Sequence, residues 1–357
     1  MKILFVDLLF QHGNLHVDNY MMDIMANNCD VYLLMNEDFL SDKLQNRGRI
    51  TVLGNPYTKT PNGGALSALQ ILRRMRLAAK YERELKPDLI YISTYETRVF
   101  PLGLKYFRNP RKIVVVENYN IDALCGKVQS YAYKLFAHHV HHLVYEPLFK
   151  DYLVEAYNIN SDLIHYVPHI QYVKENERDD NLNNSQNQYD CIAISGSNDE
   201  GTVCDIIKKE KNEHFFEINR IKCFIKCKGI DFKSNYLTVN GRFIPTEEYE
   251  ELYSKTKVVL VPFPLSYKYR MSGCIVDAFS HYKPVISSGI ELAKYYSAKY
   301  GIIIRTTNSV EEMLDAVKEL IDNREQYKFD FETFINDHSA FEVERNLMEM
   351  INIITKH

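Results

Sequence analysis

The chain has 357 residues, more than one hydrophobic core commonly holds, so two domains of ordinary size are expected. Hydrophobic residues make up 46% and charged residues 25%, the composition of a folded soluble protein, and the net charge of −4 argues against a general nucleic-acid binder. Seven cysteines, odd in number and without a C-x-x-C pair, fit neither a disulfide framework nor a zinc site and point to a reducing compartment.

In chain order, KILFVDL (2–8) reads as a first strand, and His12-Gly13 breaks MKILFVDLLF before a signal-peptide core can form. A polar loop, LFQHGNLHVDNY, leads into a helix through Met25. CDVYLLM (29–35), ITVLG (50–54), DLIYIST (88–94), KIVVVEN (112–118) and HHLVYE (141–146) are further strands, and the longest amphipathic stretch between them runs from Ala65 to Lys86. QYVKENERDDNLNNSQNQ (171–188) has almost nothing to bury and reads as a linker. The alternation resumes with CIAISGS (191–197), KCFIKCK (222–228), YLTVNGR (236–242), KVVLVPF (257–263), PVISSG (284–289) and GIIIRT (301–306). In KCFIKCK, Cys223 and Cys227 are expected on one strand face as structural thiols. SVEEMLDAVKELI (309–321) is a helix opened by a capping box of Ser309 and Glu312.

Continuous apolar strands alternating with helices predict parallel sheets covered on both faces. The expected fold is α/β: two Rossmann-like doubly wound domains, 1–170 and 189–339, joined by the linker 171–188 and facing a central cleft. An amphipathic tail, 340–357, is expected to pack back on the first domain. Ligands in such sheets bind beyond the carboxyl ends of the strands. No apolar run approaches the ~20 residues of a membrane span.

The stretch YRMSGCIVDAFSHYKPVISSG (269–289) carries the clearest site signal. The strand before it ends at Phe263-Pro264, so LSYKYRMSG is a loop at the carboxyl edge of the second sheet and a helix starts at about Gly273. A helix start offers unpaired N–H groups and about half a positive charge, both suited to a phosphate oxygen. Gly273 admits close approach, Ser272 can cap or donate a hydrogen bond, and Lys268 or Arg270 can pair the remaining charge. One turn further in, Asp277 can accept hydrogen bonds from vicinal hydroxyls such as those of a ribose. Ser-Gly is equally an ordinary helix start and Arg270 an ordinary loop residue, and the order of residues does not choose between these readings.

Read whole, NYLTVNGRFIPTEEYEELYSKTKVVLVPFPLSYKYRMSGCIVDAFSHYKPVISSG resembles the C-terminal half of nucleotide-sugar glycosyltransferases of family 4 and their GT-B relatives. In that group a strand ending in Gly precedes a short helix, then come a strand, a loop with an E-x7-E motif, a helix and a G-K-P-V-I turn. Gly241, TEEYEELYSKT, KVVLVPF and YKPVISS are the corresponding pieces. LVYEPLFKDYLVEAYNINSDLIHYVPHI resembles the elements that close the N-terminal domain, and SAFEVERNLMEMINII the closing helix. The resemblance implies a GT-B fold, a UDP- or GDP-sugar as donor, no metal or other cofactor, and transfer with retention of configuration.

Set against that pattern, Asp277 stands at the second acid of E-x7-E and Tyr269 at the first. Glu117 occupies the place of a frequent histidine, which makes it a candidate to face the reacting sugar. The basic pair that usually follows the first strand of the second domain has no match in ISGSNDEGTV. Arg270, helped by Lys268, is expected to supply that charge to the departing diphosphate. Arg242 and Phe243, following Gly241, are candidates for the base pocket. Gly13 and Asn14 stand where the group keeps a small-residue loop near the donor phosphates. His16 and Asp18 are candidates for acceptor hydroxyls or for helix capping, and Tyr119 for stacking on a sugar.

His138, His139, His141 and His142 fall where a helix end enters a strand and ring directions diverge, so a metal cluster is not expected. LRRMRLAAKYERELK (72–86) carries Arg73, Arg74 and Arg76 beside apolar residues, which reads as a solvated helix face; the resemblance implies, as an alternative, a contact with a membrane surface. The expected protein is a cytoplasmic or membrane-peripheral hexosyltransferase acting on a glycan or lipid-linked acceptor, as in bacterial capsule, exopolysaccharide or O-antigen synthesis. Its rivals are a module that binds a nucleotide-sugar without transferring it and a nucleotide-sugar epimerase of the same architecture. No G-x-G-x-x-G follows a strand, which disfavours a Rossmann dehydrogenase.

Overall fold

A computed structural model describes residues 1–9, 15–35, 40–41, 44–57, 64–171 and 188–356. The chain forms two units, Met1–Ile170 with Ala340–His357, and Gln171–Ser339.

The first unit is built on β1 (Lys2–Asp7), β2 (Asp30–Leu34), β3 (Ile50–Val52), β4 (Leu89–Thr94), β5 (Ile113–Glu117), β6 (His141–Val144) and β7 (Ile164–Tyr166). All pair in parallel in the order β3-β2-β1-β4-β5-β6-β7. Leu4 of β1 stands opposite Tyr32 on one side and Ile90 on the other. The strand order reverses between β1 and β4, which leaves a crevice at their carboxyl ends. β4 and β5 are buried along their whole length because helices cover both faces of the sheet. Those helices are α1 (Leu15–Asn28), α2 (Gly64–Leu85), α3 (Phe100–Leu104), α4 (Asn120–Ala123), α5 (Lys127–Lys134) and α6 (Pro147–Tyr157). The α6 ends follow local rules: Pro147 opens the first turn, and Asn158 closes the helix at φ 53°, a left-handed position that Asn tolerates.

The second unit runs β8 (Cys191–Ala193), α7 (Glu200–Glu213), α8 (Phe215–Ile218), β9 (Cys223–Lys226), β10 (Phe232–Lys233), β11 (Leu237–Asn240), α9 (Thr246–Lys255), β12 (Val258–Val261), α10 (Gly273–Ser280), β13 (Val285–Ser288), α11 (Glu291–Tyr300), β14 (Ile304–Thr307), α12 (Val310–Asp322) and α13 (Glu332–Asp337). The sheet order is β10-β11-β9-β8-β12-β13-β14, parallel except for the edge strand β10, so its reversal falls between β8 and β12. One face packs α7 and α12 over Cys191, Ile225, Val258, Leu260 and Ile286. Ser309 caps α12 by accepting the Glu312 N–H at 3.1 Å, while Glu312 reaches back to the Asn308 N–H at 2.8 Å. The closing helix α14 (Ala340–Thr355) buries Val343, Leu347, Met350, Ile351 and Ile354 and packs on β4 and β7 of the first unit.

Cys223 and Cys227 both join the buried core of the second unit as expected, and the Cys223 thiol also meets that of Cys191, its register partner on β8. One sequence expectation changes in the fold. The loop expected after β1 is shorter than read, because α1 already begins at Leu15 and carries His16 and Asp18 in its first turn.

Candidate functional site

At the carboxyl edge of the second unit, the loop after β8, helix α9 and the loop after β12 converge on the start of α10. Ser272 is the N-cap in an extended conformation, and its Oγ accepts the Ile275 N–H at 3.4 Å. A Cβ built on Gly273 would meet nothing within 4 Å, so the space in front of the helix is open. From α9, the Tyr249 hydroxyl donates to Asp277 Oδ2 at 2.7 Å, and the Tyr253 hydroxyl donates to the Cys274 carbonyl at 3.2 Å. Ser195, from the loop after β8, lies with Tyr249 and Tyr253 beside the Cys274 thiol. Burial raises Asp277 to about 6; the Tyr249 hydrogen bond opposes that rise and the nearby Glu250 adds to it. Half-buried Asp277 is therefore a carboxyl that titrates close to neutrality.

The loop after β12 is a compact turn, with the Tyr267 N–H donating to the Pro264 carbonyl at 2.9 Å and the Tyr267 ring edge-on to Phe263 at 5.6 Å. The Arg270 guanidinium lies 4.6 Å from the Tyr267 ring centre. Among the described residues no carboxylate pairs with Arg270 or with exposed Lys268. Tyr269 between them is half-buried.

The loop after β11 is differently employed. A Cβ on Gly241 would stand 3.0 Å from the Cys227 carbonyl oxygen and 3.0 Å from Lys228 Cα, so this glycine is required by backbone packing. Arg242 forks onto Glu248 of α9, with Nη1 to Oε2 at 2.7 Å, and its guanidinium lies 5.5 Å from the Phe224 ring. Phe243 is 82% exposed, a bare aromatic face beside the α9 start. The structure thus gathers Ser272, Gly273, Asp277, Lys268, Tyr269 and Arg270 around one helix start, and sets Gly241, Arg242 and Phe243 on the neighbouring loop. Ser195, Tyr249 and Cys274 were missed in the sequence. The i, i+4 tyrosines of TEEYEELYSKT were the available signal for Tyr249. A separate cavity of ≈ 710 Å³ lies between α7 and α12, lined by Thr202, Pro264, Ser288 and Ser309; its lysines, Lys208 and Lys209, are already paired with Asp205, Glu213 and Glu311.

In the first unit, the carboxyl end of β1 holds a buried charge cluster. Asp7 Oδ1 accepts the Leu9 N–H at 3.0 Å and the Thr94 hydroxyl. Arg74 of α2, 1% exposed, donates to the Leu8 carbonyl at 2.6 Å and to the Tyr57 carbonyl at 2.8 and 3.1 Å. Burial lowers Arg74 to about 10, with Asp7 opposing, so it stays charged. Asp18 is held well above the usual carboxylate range by burial first and the charge of Asp7 second. His16 is exposed on the first turn of α1. Gly13 and Asn14 lie outside the described residues.

Glu117 corrects an expectation. It is fully buried at the end of β5, where Tyr95 donates to both carboxylate oxygens at 2.9 and 2.8 Å, Tyr133 donates at 2.9 Å, and His142 Nδ1 lies 2.8 Å from Oε1. A carboxylate so enclosed is a structural centre and does not face a sugar. Tyr119, half-buried, lies near Tyr95 at the start of α4. The histidine run separates as strand geometry requires: His138 and His139 are exposed, His142 joins Glu117, and His141 meets His165 at 2.9 Å.

No protein-family model matches the chain, and no curated protein matches it. Among solved structures, a glycosyltransferase from Rickettsia africae is similar over 100% of this chain and 98% of its own, at 12% identity and a TM-score of 0.60. Anabaena HepE in complex with UDP-glucose is similar over 100% and 98%, at 13% identity and a TM-score of 0.62. The UDP-GlcNAc 2-epimerase of Neisseria meningitidis bound to UDP-GlcNAc is similar over 100% and 100%, at 13% identity and a TM-score of 0.58. At such identities the likeness shows the fold: the chain has the two-unit GT-B architecture over its whole length. The narrower family-4 likeness rests on the motif residues alone.

Proposed function

We propose that the chain binds a nucleotide-sugar at the carboxyl edge of its second unit and transfers the hexose to a glycan or lipid-linked acceptor. The observation that carries this reading is Arg270. It is a cation stacked on Tyr267, paired with no described carboxylate, beside an open helix start that has Asp277 one turn further in. A diphosphate would meet the helix start, Arg270 and Lys268, and ionised Asp277 would accept the hydroxyls of a ribose. Phe243 and Arg242 would border the base. UDP-sugars in the similar structures favour a uridine diphosphate donor, and the motif resemblance admits a guanosine diphosphate as well.

As the bond from sugar to diphosphate breaks, negative charge grows on the leaving oxygen. We assign its stabilisation to Arg270, Lys268 and the α10 N–H groups, acting without a metal. With Glu117 inside the core, no acid–base step is routed through it; retention of configuration remains part of the proposal on the strength of the motif resemblance. Synthesis of a bacterial capsule, exopolysaccharide or O-antigen is the proposed setting.

Titration calorimetry of UDP, GDP and CMP against wild type, Arg270→Ala and Asp277→Asn, followed by transfer assays with UDP- and GDP-sugars, tests the reading. Binding of one nucleoside diphosphate, weakened in both variants, is expected; no binding by any nucleotide overturns it. The second reading is an epimerase, favoured by a structural likeness to the Neisseria enzyme, TM-score 0.58, nearly equal to that of a transferase, 0.60. Conversion of free UDP-GlcNAc with no acceptor present would select it.

A further inference from the structure

Two tyrosines one turn apart on α9 face α10 and do different work there. Tyr249 and Tyr253, at i and i+4, share one side of the helix, with ring centres 5.0 Å apart at 62°. Tyr253 is fully buried and grips α10 at both ends. Its hydroxyl donates to the Cys274 carbonyl at 3.2 Å in the first turn, and its ring stacks on His281, the C-cap, at 5.3 Å and 13°. Tyr249 is half-buried, and its hydroxyl donates to Asp277 Oδ2 at 2.7 Å. Tyr253 therefore fixes one helix on the other, while Tyr249 touches the carboxylate itself.

On Asp277 this bond occupies one oxygen and leaves the other. Among the described residues Oδ1 has no hydrogen-bond partner, and half-buried Asp277 keeps part of its surface open to solvent. A carboxylate turns easily about its last bond, a torsion with broad wells. A short, charge-assisted hydrogen bond from a neighbouring helix fixes its plane and favours its ionised form, against the burial and the Glu250 charge that oppose ionisation. The other titratable groups around it are Tyr253 and Glu250 of α9 and Cys274 of its own helix, with His281 3.6 Å from Glu250. Burial holds Tyr249, Tyr253 and Cys274 above their ordinary values, so all three stay protonated through neutral pH.

We propose that Tyr249 is a positioning residue of the nucleotide site: by holding Asp277 Oδ2 it presents Oδ1 alone to the vicinal hydroxyls of the ribose. This rests on the nucleotide-sugar reading of the same site. One carboxylate oxygen has two lone pairs, enough to accept from both hydroxyls of the diol. The acid is thus a ribose ligand whose orientation and charge are set from α9. That helix also carries Glu248, the partner of Arg242, so one rigid element braces the loop that borders the base and the acid that meets the ribose.

The test is calorimetry of UDP and GDP between pH 5 and 8 against wild type, Tyr249→Phe, Asp277→Asn and the double variant, with thermal melts verifying that all are folded. Tyr249→Phe keeps the ring and loses the bond, so the rise of affinity with pH should move up by about one pH unit, the worth of a hydrogen bond to a charged group. Its deficit against wild type should then be roughly tenfold larger at pH 5 than at pH 8 by the fraction ionised. A tyrosine that only packs would lower affinity by one factor at every pH. In Asp277→Asn the slope should vanish, which separates it from Glu250 and His281, and Tyr249→Phe should add less than about twofold there. 2′,3′-Dideoxyuridine diphosphate, which lacks the diol, should show neither the slope nor the Tyr249 effect. An unmoved midpoint in Tyr249→Phe, an equal loss in the Asn background, or an equal loss with the dideoxy nucleotide would each overturn the proposal and leave nucleotide binding standing. No binding of UDP or GDP by wild type would overturn it together with the reading it rests on.

Discussion

The carboxyl edges of the two units belong to similar doubly wound sheets and use charge in opposite ways. In the first, Asp7, Asp18, Arg74 and Glu117 are all under 5% exposed, and Glu117 and Arg74 are engaged by hydroxyls, a histidine or carbonyls of their own unit. In the second, Arg270 and Lys268 lie toward solvent with no carboxylate partner among the described residues, and Asp277 is half-buried with one hydroxyl upon it. A charge that the fold already satisfies holds structure together. A charge left without a partner beside an open helix start is available to a ligand. Substitutions should therefore separate into losses of stability in the first unit and losses of binding or rate in the second.

The largest effect is expected from Arg74→Met. Removing the guanidinium strands the Leu8 and Tyr57 carbonyls and takes away the cation that Asp7 feels. Breaking one side of a buried charged network typically costs about 3–5 kcal/mol. Urea unfolding of the variant should show a loss of that size with an unchanged slope. A loss below about 1 kcal/mol, the scale of an exposed ion pair, would show that the cluster is not a structural one.

Arg270→Ala should do the reverse. Its guanidinium makes one ring contact, so the melting temperature should hardly move. If it stabilises the leaving diphosphate, the rate of transfer should fall ~10²–10³-fold, more than donor binding weakens. An unchanged rate in steady-state assays would remove Arg270 from the chemistry and blur the contrast between the units.

The doubly wound layout was legible because β1, β4, β5 and β12 are apolar runs of the length strands require and are separated by helical periods. β10 escaped because two residues carry no period, and its antiparallel pairing with β11 depends on the turn between them. In the site, Ser272, Gly273 and Asp277 were legible because they follow one another along a single strand–loop–helix unit. Glu117 was misread because its environment is assembled from Tyr95, Tyr133 and His142, which no local pattern ties to residue 117. Arg242 shows the same limit in milder form: its partner Glu248 is six residues away, but only the bend into α9 brings them together. The exposed apolar side chains of α5 and its C-cap were equally hidden, since Val128, Tyr131 and Leu135 look like core positions until Tyr133 and Phe136 are seen to fill that role.

A pH series sharpens the comparison at its titratable centre. Asp277 in the free protein lies at about 6, above the 3.8 of an unfolded aspartate. Well below pH 3.8 both states are protonated and the group has no effect. Between about 4 and 6 the unfolded chain loses its proton first, so stability from this group falls as pH rises. Nucleotide binding should run the other way, because ribose hydroxyls need the ionised form. Affinity should rise through pH 6 and level off near 7, roughly tenfold weaker at pH 5 by the fraction ionised. Asp277→Asn should bind more weakly and without that slope. Calorimetry at several pH values decides it, and an equal slope in the variant would move the titration to another group.

The smallest effects come from two glycines of the second unit, and they divide structure from ligand most finely. Gly241→Ala would push a methyl to 3.0 Å from the backbone of Cys227 and Lys228, which cannot swing aside as a side chain could. Overpacking of this kind costs about 1–3 kcal/mol and should appear as a lower melting temperature with or without nucleotide. Gly273→Ala meets nothing within 4 Å and sits at the first position of α10, so the free protein should be unchanged or firmer by up to about 1 kcal/mol. The same methyl would stand in front of the helix start, where a phosphate oxygen must approach the N–H groups. The expected signature is a free protein at least as stable as wild type whose stabilisation by nucleoside diphosphate is reduced. If the nucleotide stabilises Gly273→Ala as strongly as wild type, the phosphates lie elsewhere on this edge, and the open space before α10 is no more than the surface of a well-capped helix.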